Sequence, residues 1–324
     1  MTCSAGRSPA QEQPSAQRQW SGQTRGGVVG NGIFVWLLRT LGLRAAYLLL
    51  YPVALYYLVV VGQARRASAD YRRRIGMSRD GWVGSMVEGY RHFLTFGKLL
   101  LDRIAMIAGP ADKFHVRFEG EQYLRESLEQ GRGLVLVSAH VGNWQGAANL
   151  LRRLGRRVHV VTYEKEAERV RRFFDSVCKD RRFSVISSDG TSDCSLAILS
   201  ALRRGEVVAM HADRCLETEG QCVEFLGGLA RFPAGPFIAA AVAQAPLIPV
   251  FAFREGTYRY RFVADPPQQL HLPRGRRRDE ELRKVVEQFA RRVEEMLRQY
   301  PLQWLNFYDF WRSGQAECEQ VACK

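Results

Sequence analysis

The chain has 324 residues, room for one sizeable α/β domain with appendages, and two small domains are the less simple alternative. Its 47 Lys and Arg against 33 Asp and Glu leave a net charge of +14, which favours anionic partners: phospholipid head groups, nucleic acid or an acidic carrier protein. Seven cysteines (Cys3, Cys178, Cys194, Cys215, Cys222, Cys318 and Cys323), odd in number and without a C-x-x-C, argue against a disulfide framework or a zinc cluster. The expectation is a reducing, cytosolic compartment and no metal.

Residues 1–33 are rich in Gln, Ser, Gly and Arg and read as a disordered leader. The charge-free run Ala45–Val61 follows too late for a secretory signal and sits at the lower length limit for crossing a bilayer. It contains Pro52 and four tyrosines (Tyr47, Tyr51, Tyr56, Tyr57), with Arg39, Arg44, Arg65, Arg66 and Arg72 to Arg74 around it. That composition suits a helix lying at the head-group boundary, with a spanning helix and a buried core helix as alternatives. Asp70–Ala108 reads as one or two helices ended by Gly109-Pro110.

Strands and helices then alternate, as they do in a sheet with crossover helices. Strands are expected near 115–118, 134–138, 158–162, 183–186, 207–210, 247–253 and 257–263. Helices are expected near 121–129, 142–154, 167–178, 194–203, 236–243 and 280–300. The Gly-containing connection 215–234 is long enough to suggest a binding loop.

His140 follows the apolar strand and precedes an expected helix, so its ring should stand at the carboxyl edge of the sheet, where open α/β folds keep their ligand crevices. A neutral imidazole there can take a proton from a hydroxyl or amine; a histidine that merely caps the helix is the competing reading. The segment Ser138-Ala-His-Val-Gly-Asn-Trp-Gln145 resembles the first motif of the lysophospholipid acyltransferase superfamily, a histidine followed by an acid five positions on. The lipid A lauroyl and myristoyl acyltransferase branch is the more similar one. The ending Tyr300-Pro-Leu-Gln-Trp-Leu-Asn-Phe-Tyr-Asp-Phe-Trp311 resembles the acyltransferases of aryl-polyene-type pathways. Matching segments run in family order: Tyr51-Pro52 through Gln63-Ala-Arg-Arg-Ala-Ser68, Ala212-Asp213-Arg214, Phe225-Leu-Gly227, Phe232-Pro-Ala-Gly-Pro236 and Ala245-Pro-Leu-Ile-Pro-Val250.

The resemblance implies an α/β fold with a central, mostly parallel or mixed sheet flanked by helices, glycerol-3-phosphate acyltransferase-like, with an N-terminal membrane-associated helix. It implies that His140 deprotonates an acceptor hydroxyl or amine, which attacks an acyl thioester of acyl carrier protein or CoA. That thioester is a co-substrate, and no cofactor is implied. The motif's acid orients the histidine, the base-plus-orienter half of a catalytic triad. Here Gln145 stands in the acid's place. An amide oxygen can still fix a tautomer, so three readings stand side by side: a working variant, an inactive relative that binds lipid or carrier protein, and a deliberately inactivated variant.

The same resemblance makes Asn143, Asp213, Arg214, Phe225, Gly227, Arg231, Phe232 and Gly235 substrate-binding candidates. Asp213 and Arg214 would wall the site against acceptor or pantetheine phosphate, or else form a buried ion pair closing the sheet edge. Phe225 and Phe232 would line an acyl channel, with Gly227 and Gly235 allowing close backbone approach and Arg231 the loop's one charge; plain loop packing is the alternative. Trp304, Phe307, Tyr308, Phe310 and Trp311 read as packing or interfacial aromatics.

Nucleic-acid binding is the rival suggested by charge, but no recognition module accompanies the cluster at Arg274 and Arg276 to Arg278. The absence of G-x-S-x-G, H-E-x-x-H and G-x-x-x-x-G-K-[ST] speaks against a serine hydrolase, a zincin and a phosphate-loop enzyme. The expected organisation is a leader (1–33), a membrane-anchoring region (34–68), an acyltransferase domain (69–312) and a tail (313–324). Its expected seat is the cytosolic face of a bacterial inner membrane, with membrane lipids and acyl carrier protein as partners. The oligomeric state is left open.

Overall fold

The computed structural model describes residues 36–38, 40–77, 81–108, 113–143, 155–163, 183–188, 192–215, 220–275, 277–312 and 318. Ahead of the sheet come α1 (Gly42–Val60), α2 (Gly62–Arg74) and α3 (Trp82–Ala108). β1 (His115–Glu119), α4 (Glu121–Glu129), β2 (Leu134–Ser138), β3 (Val158–Tyr163), β4 (Phe183–Ser188), α5 (Ser192–Arg203) and β5 (Val207–His211) follow. The chain continues through β6 (Gly220–Phe225), β7 (Gly228–Pro233), α6 (Gly235–Ala243), β8 (Leu247–Gly256), β9 (Arg259–Ala264) and α7 (Arg277–Gln299), with a 3-10 turn over Pro301–Gln303. The helices expected near 142–154 and 167–178 fall largely or wholly outside the described residues.

Among the described residues, seven strands form one sheet in the order β1-β9-β8-β2-β5-β3-β4, parallel throughout except where β8 meets β9. The expected mixed, mostly parallel α/β sheet is the one observed. β2 is buried along its whole length between β5 and β8, and its continuous Leu-Val-Leu-Val run is what burial on both faces demands. α7 shows the helical counterpart. Leu282, Val286, Phe289, Ala290, Val293, Met296 and Leu297 recur on one buried stripe, with Asp279 and Glu280 in the first turn and Arg298 in the last, where they oppose the helix dipole.

α1 runs straight through Pro52. One face (Leu43, Ala46, Leu50, Ala54, Leu58) is buried, largely against α3, while Leu48, Tyr51, Leu55, Tyr56, Val59 and Val60 remain exposed. By length and composition the helix can cross a membrane.

Three local expectations are corrected. The connection after Cys215 carries a β-hairpin where a loop was expected: β6 and β7 pair antiparallel, and Leu226 and Gly227, both at positive φ, make the two-residue turn whose twist matches its strands. Gly142 does not begin a helix. It sits at φ +60°, and a Cβ there would lie 2.0 Å from the Ala252 carbonyl oxygen, so the chain passes β8 at a distance only glycine allows. Finally, Cys222 on β6 and Cys318 form a disulfide across 5.6 Å between Cα atoms, because the hairpin brings together two cysteines 96 residues apart. The cysteine argument for a reducing compartment falls with it.

Candidate active site

β2 and β5 are parallel neighbours in register, with Ser138 opposite His211. Two residues beyond each partner come His140 and Asp213, so both side chains emerge at the same level of the carboxyl edge. The Asp213 carboxylate is fully buried and its Oδ1 stands 2.7 Å from His140 Nδ1. Its Oδ2 accepts the His140 backbone N–H at 2.9 Å and the Asn306 amide at 2.8 Å. A carboxylate only accepts, so in the neutral ring Nδ1 carries the proton and Nε2 the lone pair. The imidazole is thus held as a base, by a carboxylate that sits on another strand and not within its own motif.

Burial disfavours the charge on Asp213, but His140 and Arg214 outweigh it and hold its carboxyl well below the usual carboxylate range. His211 stacks on His140 with ring centroids 4.3 Å apart. Burial pushes His211 well below the ordinary histidine value, and a proton gained by His140 pushes it further, so it stays a neutral platform.

The loop after His140 is tied on every side. Leu305 N–H donates to the His140 carbonyl (2.9 Å), Gly142 N–H to Gln303 (2.9 Å) and Asn143 N–H to Ala252 (2.7 Å), while Val141 forms a bridge with Trp304. Arg214 donates from Nε to the Asn306 side-chain oxygen at 2.7 Å and lies 5.9 Å from the Tyr308 ring centroid. The polar residues of the C-terminal motif therefore close the site, and Trp304 packs on Tyr71, Phe225 and Phe310 behind it.

Of the residues singled out from sequence, His140, Asp213 and Arg214 come together. Arg214 does so through Asn306, and its charge acts on the Asp213 carboxyl. Asn143 is buried and turns its amide to Tyr260 and Met106. Phe225 and Phe232 are fully buried, 5.2 Å apart, against Trp311, Phe310 and Phe289. Gly227 forms the hairpin turn, Arg231 lies half-buried on β7, and Gly235 opens α6, exposed. Gln145 lies outside the described residues. Sequence reading missed His211, Asn306 as a contact of Asp213, and the pairing of Asp213 with His140. The available signal was the position of Asp213 just past a strand end, which needed only the knowledge that β5 lies beside β2.

The family model for bacterial lipid A biosynthesis acyltransferases matches residues 31–313. The chain belongs to that family. Among its curated relatives, the phosphatidylinositol mannoside acyltransferase of Mycobacterium tuberculosis strain H37Rv is 33% identical over 139 residues, 42% of this chain and 44% of that protein. The same-named protein of Mycolicibacterium smegmatis is 32% identical over 136 residues, 41% and 44% of the two chains. These matches span less than half the length of either relative. The 1-acyl-sn-glycerophosphate acyltransferase PlsC of Thermotoga maritima overlays at a TM-score of 0.36 with 17% identity, over 83% of this family member and 99% of that chain.

Proposed function

We propose that this family member moves a fatty acyl group from an acyl-carrier-protein or CoA thioester to a hydroxyl or amine of a lipid acceptor. Nε2 of His140 takes the acceptor's proton, and the acceptor oxygen or nitrogen bonds to the thioester carbonyl carbon. The carbon–sulfur bond then breaks, and the thiolate leaves with the proton from the imidazolium. Asp213 supplies the negative charge that the imidazolium needs during this exchange. The 2.7 Å His140–Asp213 pair carries the reading. It supports a working variant over an inactive relative, since that alternative rests on Gln145 being the histidine's orienting partner.

The acceptor belongs in a membrane. The exposed apolar face of α1, flanked by basic residues, suits a seat on an anionic bilayer, on the cytosolic side where carrier-bound acyl groups are made. A glycolipid acceptor is the class suggested by the relatives' name. An acidic carrier protein suits the +14 charge as donor. The experiment is acyl transfer from a labelled acyl-carrier-protein thioester to total membrane lipid, read by mass spectrometry. Transfer abolished in His140→Ala supports the mechanism; transfer that survives the substitution overturns it.

A further inference from the structure

Behind the active-site loop lies a buried polar cluster that the reaction does not use. Asp102 on α3 is fully buried, in an apolar stretch of helix. It accepts hydrogen bonds from the Tyr47 hydroxyl of α1, from the Tyr260 hydroxyl of β9 at 2.5 Å and from Arg254 Nε of β8 at 3.0 Å. The Tyr260 oxygen, having given its proton to Asp102, accepts the Asn143 amide at 3.3 Å. Asn143 is three residues beyond His140, on the segment bonded to Gln303 and Ala252. Burial pushes the Asp102 carboxyl and, more strongly, the Tyr260 hydroxyl upward, so the tyrosine stays a donor.

We propose that Asp102 is a positioning residue through which the apolar helix pair α1–α3 holds the His140 loop in register. The polarity of the chain of bonds is what assigns this role. A carboxylate turns the Tyr260 proton away from Asn143, leaving a lone pair for the amide. A leucine at 102, close to it in shape, offers no acceptor, so the Tyr260 proton is free to turn toward an amide that is itself a donor. The bond from Tyr47 extends the arrangement to α1, whose opposite face is exposed and apolar, so movement of that helix reaches the loop through one carboxylate. As far as it concerns turnover, the inference rests on the acyl-transfer reading above.

The test uses the full chain in detergent or vesicles, with Asp102→Leu and two variants that each remove one hydroxyl, Tyr260→Phe and Tyr47→Phe. Hydrogen exchange at Gly142 and Asn143 reports the loop without requiring turnover, and transfer assays report kcat and KM. Faster exchange confined to residues 140–143, with kcat down about tenfold or more and KM for the thioester unchanged, is the expected result. Exchange and kcat both unchanged in Tyr260→Phe and Asp102→Leu would overturn it. So would exchange that rises equally across β2 and β8, the sign of a merely weakened fold. If the wild type transfers nothing while exchange still rises only in the loop, the positioning role stands and the acyl-transfer reading falls.

Discussion

Replacing Asp213 by asparagine keeps the shape of the site and changes its proton. At the Oδ2 position the amide oxygen still accepts from the His140 backbone and from Asn306, which fixes the side chain's orientation. That leaves the NH2 group at the Oδ1 position, 2.7 Å from His140 Nδ1. Nδ1 must then accept, the ring proton moves to Nε2, and the nitrogen facing the acceptor is no longer a base. A charge-assisted hydrogen bond of this kind contributes about 1.5–3 kcal/mol. With the unfavourable tautomer added, the barrier should rise by about 3–4 kcal/mol, a fall in kcat of about 10²–10³-fold. The assay is acyl transfer under saturating thioester, with thermal unfolding as a control for folding. A folded Asp213→Asn protein within tenfold of wild-type kcat refutes the reasoning.

Gln145→Ala should reduce kcat by less than tenfold, because the histidine already has its carboxylate; a loss as deep as that of Asp213→Asn would return the orienting role to Gln145. His92 is fully buried, faces Ser68 through Nδ1 at 2.9 Å and the Trp304 carbonyl through Nε2 at 2.8 Å, and burial pulls its pKa down to about 4. Its folded pKa lies below the unfolded value, so its contribution is whole above about pH 6.5 and is lost as pH falls toward 4. The loss approaches about 1.4 kcal/mol per unit and about 3 kcal/mol in all, and chemical denaturation of His92→Gln across that window should lack this dependence. Gly142→Ala should lower both stability and transfer, since its Cβ would meet the Ala252 carbonyl at 2.0 Å. An alanine variant with wild-type melting temperature and rate would show that the loop can yield.

Much of the sheet was legible because β2 and β8 are continuous apolar runs and α7 repeats its apolar residues at helical spacing. The position of His140 followed from the same pattern. Its partner did not, because sheet order is a tertiary fact: β5 is three strands later in the chain and yet lies directly beside β2. The hairpin was hidden by the glycines at its turn, which read equally well as loop. Phe225 and Phe232 carried an apolar signal that a channel and a core share, and only burial separates the two. The cysteine pair had no local spacing to reveal it.

The last contacts around His140 come from residues made long after it. Asn306 reaches Asp213 across 93 positions, and the Leu305 amide holds the His140 carbonyl. The residues of the sheet, the hairpin and α7 are therefore all synthesised before those that constrain the base. Until the C-terminal strap docks, the base lacks the two contacts that hold its carbonyl and its carboxylate in place.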